Sequence, residues 1–301
     1  MSAVIIIVAY FSLAVFVIVA VYRTLRVATL PVHLRWELAP VPHEKGRSHY
    51  GGSYLEEYEW WKKPRSRSLI SELIYMLQEI LLLRGVWEHH RRLWWFSLPF
   101  HTGIYLLIGA GALLLVAAGL DWAGAAAAGV MARAAVAVAL VGHLLGALGA
   151  LGLLVRRLTD PRLVAVRTAG TLFNLVFLLA VFTTGAAAVA MADRPARRLV
   201  ECTQAVLTAD FSAAIPGLLA VHLLLAFLLL AYLPFTPMLH FVAKYFTYHR
   251  VRWDDDPLVA RPRLEGEVKE LLEQPVSWSA PHVASGGGKR WIDIARELPE
   301  E

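Results

Sequence analysis

The stretch from Phe211 to His240 reads FSAAIPGLLAVHLLLAFLLLAYLPFTPMLH and contains no Asp, Glu, Lys or Arg, which decides the fold class. A helix needs about 20 mostly apolar residues to cross roughly 30 Å of hydrocarbon, and the part from Phe211 to Phe235 is long enough. Four further segments meet the same requirement: Ala3 to Tyr22, Leu93 to Leu120, Ala125 to Val155 and Thr168 to Met191. A chain of 301 residues that is 57% apolar and 18% charged has more hydrophobic surface than one soluble domain can hide, so a water-soluble enzyme of this size is excluded. The expected fold is all-α, a polytopic membrane protein built as a five-helix transmembrane bundle.

The basic residues orient that bundle. Of the 29 Lys and Arg, 12 fall between Arg23 and Arg92, 4 between Arg156 and Arg167, and 9 after Phe241. Only Arg133, Arg194, Arg197 and Arg198 lie on the other side. By the positive-inside rule the N-terminus faces outward and the C-terminus is cytoplasmic. The net charge of +5 therefore reflects topology, and no nucleic-acid partner is expected. The first apolar run has no basic region before it and no small-residue cleavage site after it, so it reads as a retained helix rather than a secretory signal.

Four regions follow: a first transmembrane helix over 1–24, a cytoplasmic amphipathic segment over 25–92, a four-helix domain over 93–242, and a cytoplasmic tail over 243–301. In the second region Leu69, Ile70, Leu73, Ile74, Leu77, Ile80 and Leu81 recur at helical spacing. Tyr58, Trp60 and Trp61 beside Lys62, Lys63 and Arg65 resemble an interfacial anchor. In the tail, Ser285-Gly286-Gly287-Gly288 is a flexible joint before Trp291, Ile292, Ile294 and Ala295, a pattern suited to docking a partner.

The single cysteine, Cys202, excludes an intramolecular disulfide, covalent haem attachment through paired thiols and a four-cysteine iron–sulfur site. The histidines become the candidates. An imidazole inside a bilayer is costly without a partner, and four fall within spans: His101, His143, His222 and His240. His222 and His240 are 18 residues apart, five full helical turns, which puts them on one face about 27 Å apart, with Pro234 and Pro237 interrupting the regular helix between them. That separation suits two stacked cofactors. Haem answers to this arrangement, because imidazoles from two helices can fill both axial positions of an iron.

Depth decides the pairs: His101 matches His240 towards the cytoplasmic side, and His143 matches His222 more approximately. Gly142, Gly146, Gly149 and Gly152 would leave room for a porphyrin beside His143, or would simply let helices pack closely. A lone membrane histidine bonded to a neighbouring carbonyl or hydroxyl is the plain alternative. His89 and His90, and His33, His43, His49, His249 and His282, lie in polar segments and are read as solvated or interfacial. No zinc-hydrolase, phosphate-loop or dinucleotide motif occurs.

From about Leu98 to Tyr245 the chain resembles the membrane cytochrome b (gamma) subunit of respiratory nitrate reductase. Phe100-His101-Thr102-Gly103-Ile104 is similar to that family's second-helix haem-ligand motif, and Arg156-Arg157-Leu158-Thr159-Asp160-Pro161-Arg162 to its basic turn. His222 and His240 with Pro234-Phe235 between them resemble its fifth-helix ligand pair. The family's other second-helix ligand falls at Gly111, which cannot bind iron, and His143 is the intramembrane histidine left to replace it. The resemblance thus implies haem b held by His101 with His240 and by His143 with His222, or a single haem if that substitution fails. It also implies that Arg133 stands near a quinol site; an interfacial cation is the alternative reading.

The long first loop and the tail Val276-Ser277-Trp278-Ser279-Ala280-Pro281-His282, with Gly288-Lys289-Arg290-Trp291, look more like the cytochrome b subunits of sulfite-reductase-associated and heterodisulfide-reductase-like menaquinol complexes. That likeness implies a cytoplasmic iron–sulfur partner resembling heterodisulfide reductase. The expected function is a di-haem b subunit that oxidises menaquinol and passes electrons inward. A mono-haem quinone-reducing cytochrome, a structural membrane anchor and a transporter are the rivals, the last lacking any internal repeat.

Overall fold

The computed structural model describes residues 2–29, 46, 57–59, 62–64, 68–247, 262–278 and 288–297. Among them five helices are long and apolar enough to cross a membrane. They are α1 (Ser2–Thr29), then, after α2 (Leu69–Leu81) and α3 (Arg84–His89), α4 (Arg91–Trp122), α5 (Ala128–Thr159), α6 (Ala169–Ala190) and, after α7 (Pro195–Thr208), α8 (Gly217–Tyr232). Short helices α9 (His240–Thr247), α10 (Pro262–Leu272) and α11 (Trp291–Arg296) follow, and no strand occurs among the described residues. The protein is an all-α polytopic membrane protein. Large apolar side chains such as Phe11, Ile18, Ile108 and Leu148 stand outward, as lipid-facing helix surfaces require.

Two compact units divide the chain, one of Met1–Arg23 with Leu73–His240 and one of Thr24–Glu72 with Phe241–Glu301. In the first, α4 and α5 approach until their backbones touch. A Cβ at Gly103 would lie 2.5 Å from the Gly146 amide nitrogen, and one at Gly149 would lie 2.5 Å from that of Phe100. Phe96 fills the space at Gly152, and the Phe182 ring of α6 fills that at Gly146. The glycines of α5 therefore serve packing against α4 and α6, the second of the two roles the sequence left open. Gly111, in contrast, meets nothing within 4 Å and lies on an exposed face.

Helix α1 packs one side into the bundle: Ile5 joins Ala188, Cys202, Ile215, Leu219 and Ala220 in a buried cluster. Helix α7 has no counterpart in the hydrophobic-run reading, because its 14 residues carry too short an apolar face to register as a span. Left-handed residues Arg194 and Ala209 bracket it, and Val200, Cys202 and Ala205 turn inward. Gln204 donates to the Asp121 carboxylate at 2.9 Å and Tyr10 to the Val206 carbonyl at 2.8 Å, so α7 ties α4 and α1 together. Burial pushes the Cys202 thiol up to about 11, so it stays protonated and offers no thiolate.

The amphipathic segment forms α2, as its spacing predicts, and its C-terminal carbonyls are claimed by α4. Tyr105 donates to Ile80 O at 2.9 Å and the Trp94 indole to Leu82 O at 2.7 Å. The basic turn after α5 is locally closed: both Asp160 oxygens accept from the Arg162 guanidinium, at 3.0 and 2.9 Å, which holds the Asp160 carboxyl down at about 2. Trp60, Trp61 and Arg65 of the suggested anchor, and Ser285 to Gly287 of the joint, lie outside the described residues.

In the second unit, Trp291 to Arg296 form the tail helix that the spacing predicts. Arg290 bonds Asp293 at 3.0 Å and also pairs with Glu273, while the Trp278 and Trp291 rings lie 5.9 Å apart.

The backbone contact between α4 and α5 makes a clear prediction. Gly149→Ala is expected to cost about 1–3 kcal/mol by overpacking, whereas Gly111→Ala should cost nothing, as read by thermal unfolding in detergent under circular dichroism.

Candidate haem-binding histidine pairs

The four intramembrane histidines come together as two pairs. His101 on α4 and His240, which opens α9, have ring centres 6.3 Å apart with planes at 80°. His143 on α5 and His222 on α8 have ring centres 5.0 Å apart with planes at 87°. Phe182 stands between the pairs, 5.9 Å from Phe100, whose neighbour is His101, and 6.5 Å from His143. Nothing in the sequence spacing pointed to Phe182, since its place depends on α6 crossing Gly146 of α5.

Hydrogen bonding sets the tautomer of two rings and gives a third a polar neighbour. His101 Nδ1 donates to Ser97 O one turn below it, at 2.7 Å, and His240 Nδ1 donates to Pro237 O at 3.2 Å. A carbonyl can only accept, so each ring carries its proton on Nδ1 and presents Nε2 as the basic nitrogen. The Thr184 hydroxyl donates to Ala180 O at 2.7 Å and so can accept from His222 Nδ1 at 3.4 Å. Such bonds to the far nitrogen are what metal-ligating imidazoles use to fix their orientation.

His143 is different. It is 5% exposed, and its Nδ1 is buried without a hydrogen-bond partner. Its ring packs directly on α6 at Gly185, where any Cβ would overlap it. An orphaned buried imidazole nitrogen is costly, and it marks this pair as incomplete in protein atoms alone.

Metal–imidazole bonds of about 2.0–2.1 Å, with roughly 1.1 Å more from nitrogen to ring centre, would set two rings on one iron about 6 Å apart. The His101 and His240 rings meet that spacing as they stand. The His143 and His222 rings would have to part by about 1 Å to do so. Among the described residues no group of three or more His, Cys, Asp or Glu side chains could hold a metal ion; axial ligation of haem needs only two.

A family model described as nitrate reductase gamma subunit matches residues 87–254, more than half of the chain. The chain belongs to that family. It is accordingly a membrane haem b cytochrome subunit of a respiratory oxidoreductase complex, an electron-transfer component that works with other subunits in a bilayer. No curated protein and no solved structure matches the chain. The matched residues include all four paired histidines and Arg133, and they leave out α1 and α2.

Arg133 is not brought into either pair. It is exposed near the start of α5, ten residues and about 15 Å along the helix from His143. His89 and His90 are exposed as read, and His33, His43, His49, His249 and His282 lie outside the described residues. The residues that orient the rings, Ser97 and Thr184, were not singled out in the sequence; the one usable signal is a polar residue a turn before a histidine, as Ser97 is before His101.

Gly185→Ala drives a methyl group into the His143 ring. In this cytochrome it is expected to change the reduced-minus-oxidised visible spectrum in the same direction as His143→Ala, while Gly109→Ala, which meets nothing within 4 Å, leaves the spectrum unchanged.

Proposed function

We propose that this cytochrome is the quinol-oxidising, di-haem b subunit of its complex. His101 and His240 would hold one haem and His143 and His222 the other. The observation that carries the reading is the meeting of imidazoles from different helices in two pairs, three of the four rings with a polar partner at Nδ1. Haem iron held by these histidines would supply one-electron transfer.

The protein's own residues supply the rest. Ser97 and Pro237 keep two ligand nitrogens unprotonated and aimed, and Thr184 stands beside the ring of a third. Around the buried His143 the apolar wall that includes Phe182 keeps water away, which would tune the potential of a haem held there. With the N-terminus outside, as the distribution of Lys and Arg supports, the His101 pair lies towards the cytoplasm. Arg133 then lies towards the outer face, where its guanidinium could hold a quinol oxygen.

Menaquinol oxidised there to menaquinone would release two protons outward, and its two electrons would pass to a cytoplasmic iron–sulfur subunit. The likeness of the tail around Trp278 and Trp291 to heterodisulfide-reductase-associated subunits supports that partner. The same likeness supports a prokaryotic inner membrane as the location.

One observation favours a second reading, with a single haem at His101 and His240. The 5.0 Å separation of His143 from His222 is shorter than a shared iron asks, and the Gly185 backbone leaves His143 no slack on that side.

Pyridine haemochrome stoichiometry on the purified chain separates the two, and absence of a haem b α-band in the reduced spectrum would reject both. In the di-haem case His101→Ala and His240→Ala remove one and the same haem, and His143→Ala and His222→Ala the other; loss of a common haem in all four would overturn the pairing. Arg133→Ala is expected to slow quinol oxidation about tenfold, the scale of a lost charge-assisted hydrogen bond, at normal haem content. Unchanged kinetics would make Arg133 an interfacial cation and nothing more.

A further inference from the structure

Two prolines break the last span just before His240. After α8 the chain continues as short 3-10 turns, Leu233–Phe235 and Pro237–Leu239. A broken helix leaves carbonyl oxygens without the amide four residues on, and at membrane depth no water is present to take them. Pro234 is fully buried and Thr236 nearly so. The Met238 amide, which would close a helical bond to Pro234 O, donates instead to Thr236 Oγ1 at 3.1 Å.

Arg23, near the end of α1, takes up the carbonyls set loose. Its Nη1 donates to Pro234 O at 2.8 Å and to Thr236 O at 3.4 Å. The bonds then run on towards the imidazole. Thr236 Oγ1 donates to Leu233 O at 2.8 Å, the Leu239 amide donates to Thr236 O at 3.4 Å, and His240 Nδ1 donates to Pro237 O at 3.2 Å. The turns that aim His240 are thus braced from outside by a charge-assisted bond.

We infer that Arg23 is a positioning residue for His240, clamping the Pro234 and Thr236 carbonyls so that the broken end of α8 presents the imidazole at one depth and angle. This rests on the reading of His240 as a haem ligand. Arg23 lies outside the residues matched to the family, so the clamp is contributed by the part of this chain that the family model does not cover. The competing role is that of a bare orienting charge after the first span, and Arg26, one turn on, would serve that role as well.

The test uses the purified full chain in detergent with Arg23→Met, Arg23→Lys, Arg26→Ala and His240→Ala. Two quantities are read: amide hydrogen exchange at Thr236, Met238 and Leu239, which needs no haem, and the redox potential of each haem. Arg23→Met is expected to speed exchange at those amides about tenfold and to shift the potential of the haem that His240→Ala removes, the other haem being unmoved. Arg23→Lys, which offers its donors from a point rather than a fork, should fall between Arg23→Met and the parent chain; it decides on the same criterion if Arg23→Met does not accumulate.

If the Arg23 variants match Arg26→Ala in both quantities while His240→Ala loses a haem, the ligand reading stands and the positioning role is overturned. If His240→Ala keeps every haem, the ligand reading has failed, and the positioning of a ligand by Arg23 falls with it whatever the exchange rates show.

Discussion

Backbone contact between α4 and α5 is the constraint on which the arrangement of the site depends. In a bilayer the lipid tails are as apolar as leucine, so helices gain little from hydrophobic burial and associate through close packing. Gly103, Gly142, Gly146 and Gly149 allow that approach, and any side chain at Gly103 or Gly149 would strike backbone. His101 lies two residues from Gly103, and His143 adjoins Gly142. The contact that holds the two helices together therefore also determines where both imidazoles stand, and α6 closes over them by seating Phe182 on Gly146 and Gly185 on the His143 ring.

The second constraint is that polar groups in hydrocarbon must find partners within the protein. Each ring is treated differently under that rule. His101 borrows a carbonyl from its own helix, His240 borrows one from the turn that precedes it, and His222 leans on a threonine of α6 whose own proton is already committed. His143 has no such brace at Nδ1. The two pairs consequently differ in readiness: the first has both its spacing and its tautomers set by protein atoms, and the second has one braced ring facing one that is not. The same rule explains why the proline-broken end of α8 is stitched to α1 by a guanidinium.

Membership of the nitrate reductase gamma subunit family accounts for the region from α3 through α9 and for the redox character of the protein. The flanking parts give this chain its own features. Helix α1 buries Ile5, Ile6 and Ala9 and carries Arg23, and α2 is moored to α4 through Tyr105, one turn beyond His101. The tail folds into α10 and α11 around an Arg290 hub with two half-exposed tryptophans. None of these parts contributes any of the four paired histidines.

The sequence by itself determined the spans, because crossing hydrocarbon demands a length and apolarity that few segments can meet by chance, and five did. It also singled out four histidines, since an imidazole is conspicuous only where polar side chains are otherwise missing, and depth along each helix was enough to match His101 with His240 and His143 with His222, the rings that lie together. Helix α7 escaped it, because a 14-residue helix with a narrow apolar face looks like a loop when spans are sought by length. So did the use made of the α5 glycines, which packing and cofactor space would explain equally well until neighbouring side chains are placed. Tertiary structure alone decided the 5.0 Å and 6.3 Å spacings, the Nδ1 partners and the reach of Arg23 to Pro234, 211 residues away. Those are contacts between helices, fixed by how side chains interlock across a crossing, and no periodicity along a single helix encodes them.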